Sequence, residues 1–222
     1  MDRERKPLQV LPGYKEGMKT KLEHFALGLI LAPFTPLALF LAAWWGAYAL
    51  LPENWIPFSA LSGLALGILA DVFLLKRLLE RAHRLGLVFW IAVFLFYTIG
   101  VFGFFMGVPV FNAALALPAG FVMGARLAAE NADRRRVRET ARCTAWFTTG
   151  VLALVCLASA VIALISPSTP HDLQGMLGLG FEVTREMVVG LIVVGGVTLL
   201  VAGWGLAIAS VRFTYSFLHG NP

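Results

Sequence analysis

Asp71 is the one acidic residue placed inside an apolar run of this chain, and it ends a four-residue ladder of Ser59, Gly63, Gly67 and Asp71. On a helix that spacing keeps residues on one face, so the carboxylate shares a seam with small residues. An ionisable group at membrane depth is costly and either pairs or faces water. Two chemistries follow. Asp71 is a cation or proton site, or it forms a structural ion pair with Arg126, the depth-matched base near the end of the fourth apolar run. Arg126 has two other options: Glu130 four residues on, or extension of its guanidinium to the interface. Both groups stand about one turn from a helix end, which weighs toward a structural role.

Prolines supply a second chemical clue. Pro33 and Pro36 fall in the first run and Pro118 in the fourth. Each lacks an N–H and clashes with the carbonyl four residues earlier, which frees the oxygens of Leu29, Ala32 and Ala114. Freed carbonyls at membrane depth must be met by protein, water or ligand, and broken helices with midplane sites are a transporter device. Thr35 and Asn112 stand nearby as polar partners. The plainer alternative is a packed kink without a ligand.

Other chemistries find no motif. The chain has no HExxH, GxSxG, P-loop or metal-spaced Cys/His cluster, so no catalytic residue, cofactor or metal ligand is assigned and no enzymatic activity is expected. A single intramembrane Asp argues against a two-aspartate protease. An enzyme acting on lipids, with residues converging only in three dimensions, stays a minor alternative. Outside the runs, His171, Asp172, Glu182 and Glu186 could meet a cation, but their spacing matches no metal site. Cys143 and Cys156 lie 13 positions apart on one expected helix, too far for a disulfide.

These residues need a membrane framework. With 59% hydrophobic and 14% charged residues, the chain is expected to be all-α: a polytopic integral membrane protein with six transmembrane helices. The spans are expected at about 25–51, 56–75, 85–107, 110–129, 143–165 and 187–211, in three outward-turning hairpins. A cytoplasmic basic tail (1–24) precedes this domain (25–211), and a cytoplasmic tail (212–222) follows it. Of the 18 Lys and Arg residues, every one but Arg185 then falls on one side. Because basic residues beside a span resist translocation, that side is the cytoplasm and both termini lie there, in a cell inner membrane. The net charge of +5 meets anionic lipid headgroups, with no nucleic acid as partner. Trp44, Trp45, Tyr48 and Trp55 mark the outer interface, and Trp90, Trp146 and Trp204 the inner one.

Local patterns complete the expectation. Ser59, Gly63 and Gly67, with Ala116, Gly120, Gly124 and Ala128, read as small-residue packing seams, and Gly103 with Gly107 as a shorter one. Residues 76–84 and 130–142, free of Gly and Pro, read as helical cytoplasmic links, solvated or docking a protein partner. Tyr14, Met18, Leu22 and Phe25 suggest an amphipathic segment on the inner leaflet. Thr169, Pro170 and Asp172 read as a helix start with Thr169 as cap. The leading functional expectation is transport or capture of a small molecule or ion through the six-helix bundle. The alternative is a non-catalytic accessory or assembly subunit of a membrane complex.

Overall fold

The computed structural model describes residues 12–105, 107–178 and 180–219; the side chains of residues 12–20, 83, 176 and 177 also fall outside the description. The first eleven residues of the expected tail, the side chains of Tyr14 and Met18, and those of Met176 and Leu177 therefore lie outside the described residues. No strand occurs among the described residues, and six helical stretches are long and apolar enough to cross a membrane. This is the architecture of a multi-pass membrane protein. The chain divides into two compact units, Met1–Leu85 and Gly86–Pro222.

In the first unit, α1 (Pro12–Leu31) and α2 (Phe34–Leu50) together form the first candidate span. The break between them at Ala32 and Pro33 is the one the prolines dictate. α1 begins by Pro12, so the boundary expected at residue 24 is no break: the tail segment continues directly into the span. A short 3-10 turn (Glu53–Trp55) leads into α3 (Ile56–Arg81). α3 outruns the apolar stretch to carry Lys76, Arg77, Glu80 and Arg81, and a 3-10 turn over Ala82–Arg84 ends it.

The small-residue ladder explains why α2 and α3 pack closely. A Cβ on Gly63 would stand 2.5 Å from the Leu39 carbonyl oxygen and 2.6 Å from the Ala43 Cβ. One on Gly67 would collide with Pro36 Cα. Ser59, next on the ladder, donates its hydroxyl to the Ala43 carbonyl at 3.3 Å. Around the turn, Trp44, Trp45, Tyr48 and Trp55 are exposed, as interfacial aromatics should be.

The second unit holds α4 (Leu87–Phe104), α5 (Val110–Ala114), α6 (Ala116–Ala129), α7 (Arg134–Ile165), α8 (Thr169–Leu177) and α9 (Arg185–His219). α5 and α6 share the fourth span and part at Leu115, as Pro118 requires. The Gly120–Gly124 seam faces α9: a Cβ at Gly120 would meet Ser210 Cβ at 2.6 Å, and one at Gly124 the Val211 carbonyl oxygen at 2.7 Å. Ser210 then donates to the Leu117 carbonyl at 2.7 Å. α7 packs on α9 through Ala145 and Ala207, both fully buried, and through an edge-on contact of Trp146 with Trp204.

Several expectations are corrected. Gly103 faces open space and Gly107 lies beyond α4 at φ +83°, so this pair is not a seam; Gly107 serves a left-handed turn that other residues resist. Residues 130–142 are not one helix. α6 ends at Ala129, Asn131 takes φ +48°, and Asp133 caps α7 by accepting the Arg136 N–H at 3.2 Å. Asn and Asp favour these roles because their short side chains bond nearby backbone. Trp90 is buried against the protein, unlike the exposed Trp146. Ser168, not Thr169, precedes α8, and its hydroxyl bonds Asp172 at 2.7 Å.

The seams carry a direct test. Gly67→Ala sets a methyl against the backbone of Pro36, which cannot yield, and should destabilise by about 1–3 kcal/mol. Gly28→Ala adds the same methyl on α1 where nothing lies within 4 Å and should be neutral or stabilising. Thermal unfolding in detergent reads both, and equal midpoints for the two variants would remove the seam.

Candidate functional site

α2 and α3 run antiparallel, and their contacts keep a steady register: Ser59 with Ala43, Gly63 with Leu39, Gly67 with Pro36 and the Thr35 carbonyl. Each turn along α3 retreats about a turn along α2. The next step sets Asp71 level with Ala32 and Pro33, where α1 gives way to α2; α3 packs against α1 as well. Pro33 and Pro36 cannot donate to the Leu29 and Ala32 carbonyls, so these two oxygens lose their usual helical donors. Asp71 is half-buried, and its Oδ1 is buried without a hydrogen-bond partner. Thr35 is half-buried, and its backbone oxygen would stand 3.1 Å from a Gly67 Cβ. A carboxylate oxygen and proline-freed carbonyls are hard oxygen ligands, the set that accepts an alkali or alkaline-earth cation or a proton.

The second unit has a polar pair of its own. Asn112 and Thr98 are each 5% exposed, and Asn112 Nδ2 donates to the Thr98 carbonyl at 2.8 Å. Asn112 Oδ1 and Thr98 Oγ1 find no partner, nor does Thr149 Oγ1 on α7. Thr148, by contrast, returns its hydroxyl to the Thr144 carbonyl at 3.0 Å. That habit is why Thr98 escaped notice in the sequence: a threonine in an apolar run normally satisfies itself on its own helix. Phe105 stacks on Phe111 at 3.7 Å across the turn joining α4 to α5, holding the pair at the break before Leu115.

Arg126 lies in the second unit and Asp71 in the first. Within its own unit Arg126 holds Glu130 at 3.1 Å, the helical alternative, and Glu130 also takes Arg136 at 2.7 Å across the turn to α7. Tyr215 of α9, unremarked in the sequence, donates its hydroxyl to the Ala132 carbonyl of the same turn at 2.6 Å. Leu127, Ala132, Val137, Ala141 and Val211 form the apolar cluster beneath. On α7, Arg135 pairs with Glu139 at 2.9 Å, and that hydrogen bond and charge raise the guanidinium's pKa further. Arg185 donates to the Leu164 carbonyl at 2.8 Å, placing a cation on the last turn of α7 where helix carbonyls lack partners.

His171, Asp172, Glu182 and Glu186 do not assemble: among the described residues no three His, Cys, Asp or Glu side chains gather as a metal site. Cys143 and Cys156 are free thiols. No family model, curated protein or solved structure matches the chain.

The Arg126–Glu130 contact can be weighed by a double-mutant cycle with Arg126→Gln and Glu130→Gln. Both side chains are about one-third exposed (31% and 34%), so solvent screening holds the coupling to about 0.5 kcal/mol. Strictly additive losses in thermal stability would dissolve the pair.

Proposed function

We propose that this chain captures or passes a small solute across a cell inner membrane, with Asp71 as the cation or proton site and with both termini in the cytoplasm. The observation that carries the reading is the buried, unpartnered Asp71 Oδ1 beside the proline break between α1 and α2. A carboxylate kept at membrane depth without a fixed hydrogen bond is costly for the fold alone; a cation or proton that comes and goes gives it a use. Asn112 and Thr98, beside the second proline break, provide buried hydrogen-bonding atoms for a polar solute. The rival reading, an accessory subunit of a membrane complex, draws on the basic extension of α7. Recovery of a stoichiometric protein partner in mild detergent would favour it.

Cation binding to the folded state alone raises stability by mass action, about 2.7 kcal/mol at one hundred times Kd. Wild-type protein in detergent should therefore unfold at higher temperature in NaCl, LiCl or CaCl2 than in choline chloride of equal ionic strength. Asp71→Asn, which removes the charge but keeps the shape, should fold normally and lose that response. A response unchanged in Asp71→Asn, or absent in both proteins, would end the assignment.

Orientation follows from the Lys and Arg asymmetry. In a Cys143→Ser, Cys156→Ser background, cysteines introduced at Glu53 or Ser168 should react with an impermeant maleimide applied to intact cells. One at Arg135 should react only after permeabilisation. Labelling of position 168 from the inside alone would invert the topology.

A further inference from the structure

We propose that the exposed face of α7 carrying Arg138 and Arg142, backed by Arg134, binds the headgroup of an anionic phospholipid. Residues 134–142 contain five arginines and one glutamate, and the structure divides them cleanly. Arg135 is taken by Glu139 and Arg136 by Glu130. Arg134, Arg138 and Arg142 are exposed and hold no acid among the described residues. Their four-residue spacing stacks them as one slowly winding stripe.

Depth points to lipid as the occupant. The stripe continues through Trp146, 69% exposed, and Leu154, 67% exposed, on a helix long and apolar enough to span a bilayer. Trp146 suits the hydrocarbon boundary, where tryptophan prefers to sit. Arg142 lies four residues outward, about 6 Å by helix rise, within the headgroup layer of roughly 5–8 Å on each side of the hydrocarbon. Arg138, about 12 Å out, reaches back toward the phosphates along its flexible stem. Arg134 stands beyond contact but within a Debye length, and it adds to the field. Guanidinium groups match phosphate oxygens two bonds at a time, and the neighbouring acid Glu139 is engaged by Arg135. An acidic protein would find the same charges, but not the apolar strip that adjoins them.

The test is a titration of fluorescently labelled phosphatidylglycerol into the full chain in neutral detergent, with labelled phosphatidylcholine as reference. Saturable binding of phosphatidylglycerol alone is expected. At about a fivefold loss per arginine, Arg138→Gln with Arg142→Gln should weaken it about 30-fold. Arg142→Gln alone should cost about fivefold by the same reasoning. Arg138→Lys with Arg142→Lys keeps the charge and should stay within a few-fold of wild type. Arg135→Gln with Glu139→Gln, which deletes the paired neighbours without changing net charge, should bind as wild type does. Equal binding of phosphatidylcholine, or undiminished binding by both glutamine variants, would overturn the proposal. Displacement by equimolar inorganic phosphate would make it a free-phosphate site, and stronger displacement by polyglutamate a protein-docking face; either result overturns the lipid assignment.

Discussion

Inside a bilayer, apolar side chains gain little by leaving lipid for one another, so two helices hold together only where their backbones come close enough for dense van der Waals contact and hydrogen bonds across the gap. Both units obey this constraint in the same way. Glycines on α3 meet the backbone of α2, and glycines on α6 meet that of α9, at distances that exclude even a methyl group. A serine beside each contact then bonds a carbonyl on the facing helix, Ser59 to Ala43 and Ser210 to Leu117. A hydroxyl normally bonds within its own helix, and only close backbones let it cross.

The same closeness gives the proline breaks their setting. Gly67 lies on Pro36, so the residue where α2 forfeits a backbone donor is also where α3 approaches nearest. Asp71 comes one turn later on the same helix face, with its Oδ1 buried and without a hydrogen-bond partner. In the second unit Pro118 breaks the fourth span, and Asn112, just ahead of the break, turns its amide N–H to the Thr98 carbonyl while its own oxygen stays unmet. Each unit thus pairs an interrupted span with a side-chain oxygen that has no partner, Asp71 Oδ1 in one and Asn112 Oδ1 in the other. An uninterrupted helix consumes its own backbone groups and has none to offer a ligand.

Charge is distributed by a second rule. Near the turn between α6 and α7 the acids are few and local, and each engages the arginine or backbone donor within one helical turn or across the turn itself: Glu130 with Arg126 and Arg136, Glu139 with Arg135, Asp133 with the Arg136 amide. The arginines left over line a single face of α7. Tyr215 and the apolar cluster under Ala132 hold the turn in place, which keeps that face in register with the membrane-facing surface of the same helix.

Composition and periodicity were enough to determine six apolar helices, the interruptions at Pro33, Pro36 and Pro118, and the seams through Gly63, Gly67, Gly120 and Gly124, because each depends on local chemistry: hydrocarbon thickness, a missing N–H, a missing side chain. Sequence also placed Asp71 on its seam. It did not reveal which helix each seam would meet, because a glycine stripe shows a willingness to pack and not a partner. For Arg126, depth and spacing alone admit both Asp71 and Glu130; within its own unit the helix turn brings Glu130 to 3.1 Å. Thr98 and Tyr215 gave no signal, since their roles depend on carbonyls distant in the chain. Gly103 and Gly107 misled because equal spacing on paper takes no account of where a helix stops. Local physics writes elements into the sequence, whereas partners, unmet polar atoms and surplus charges exist only once the helices have been brought together.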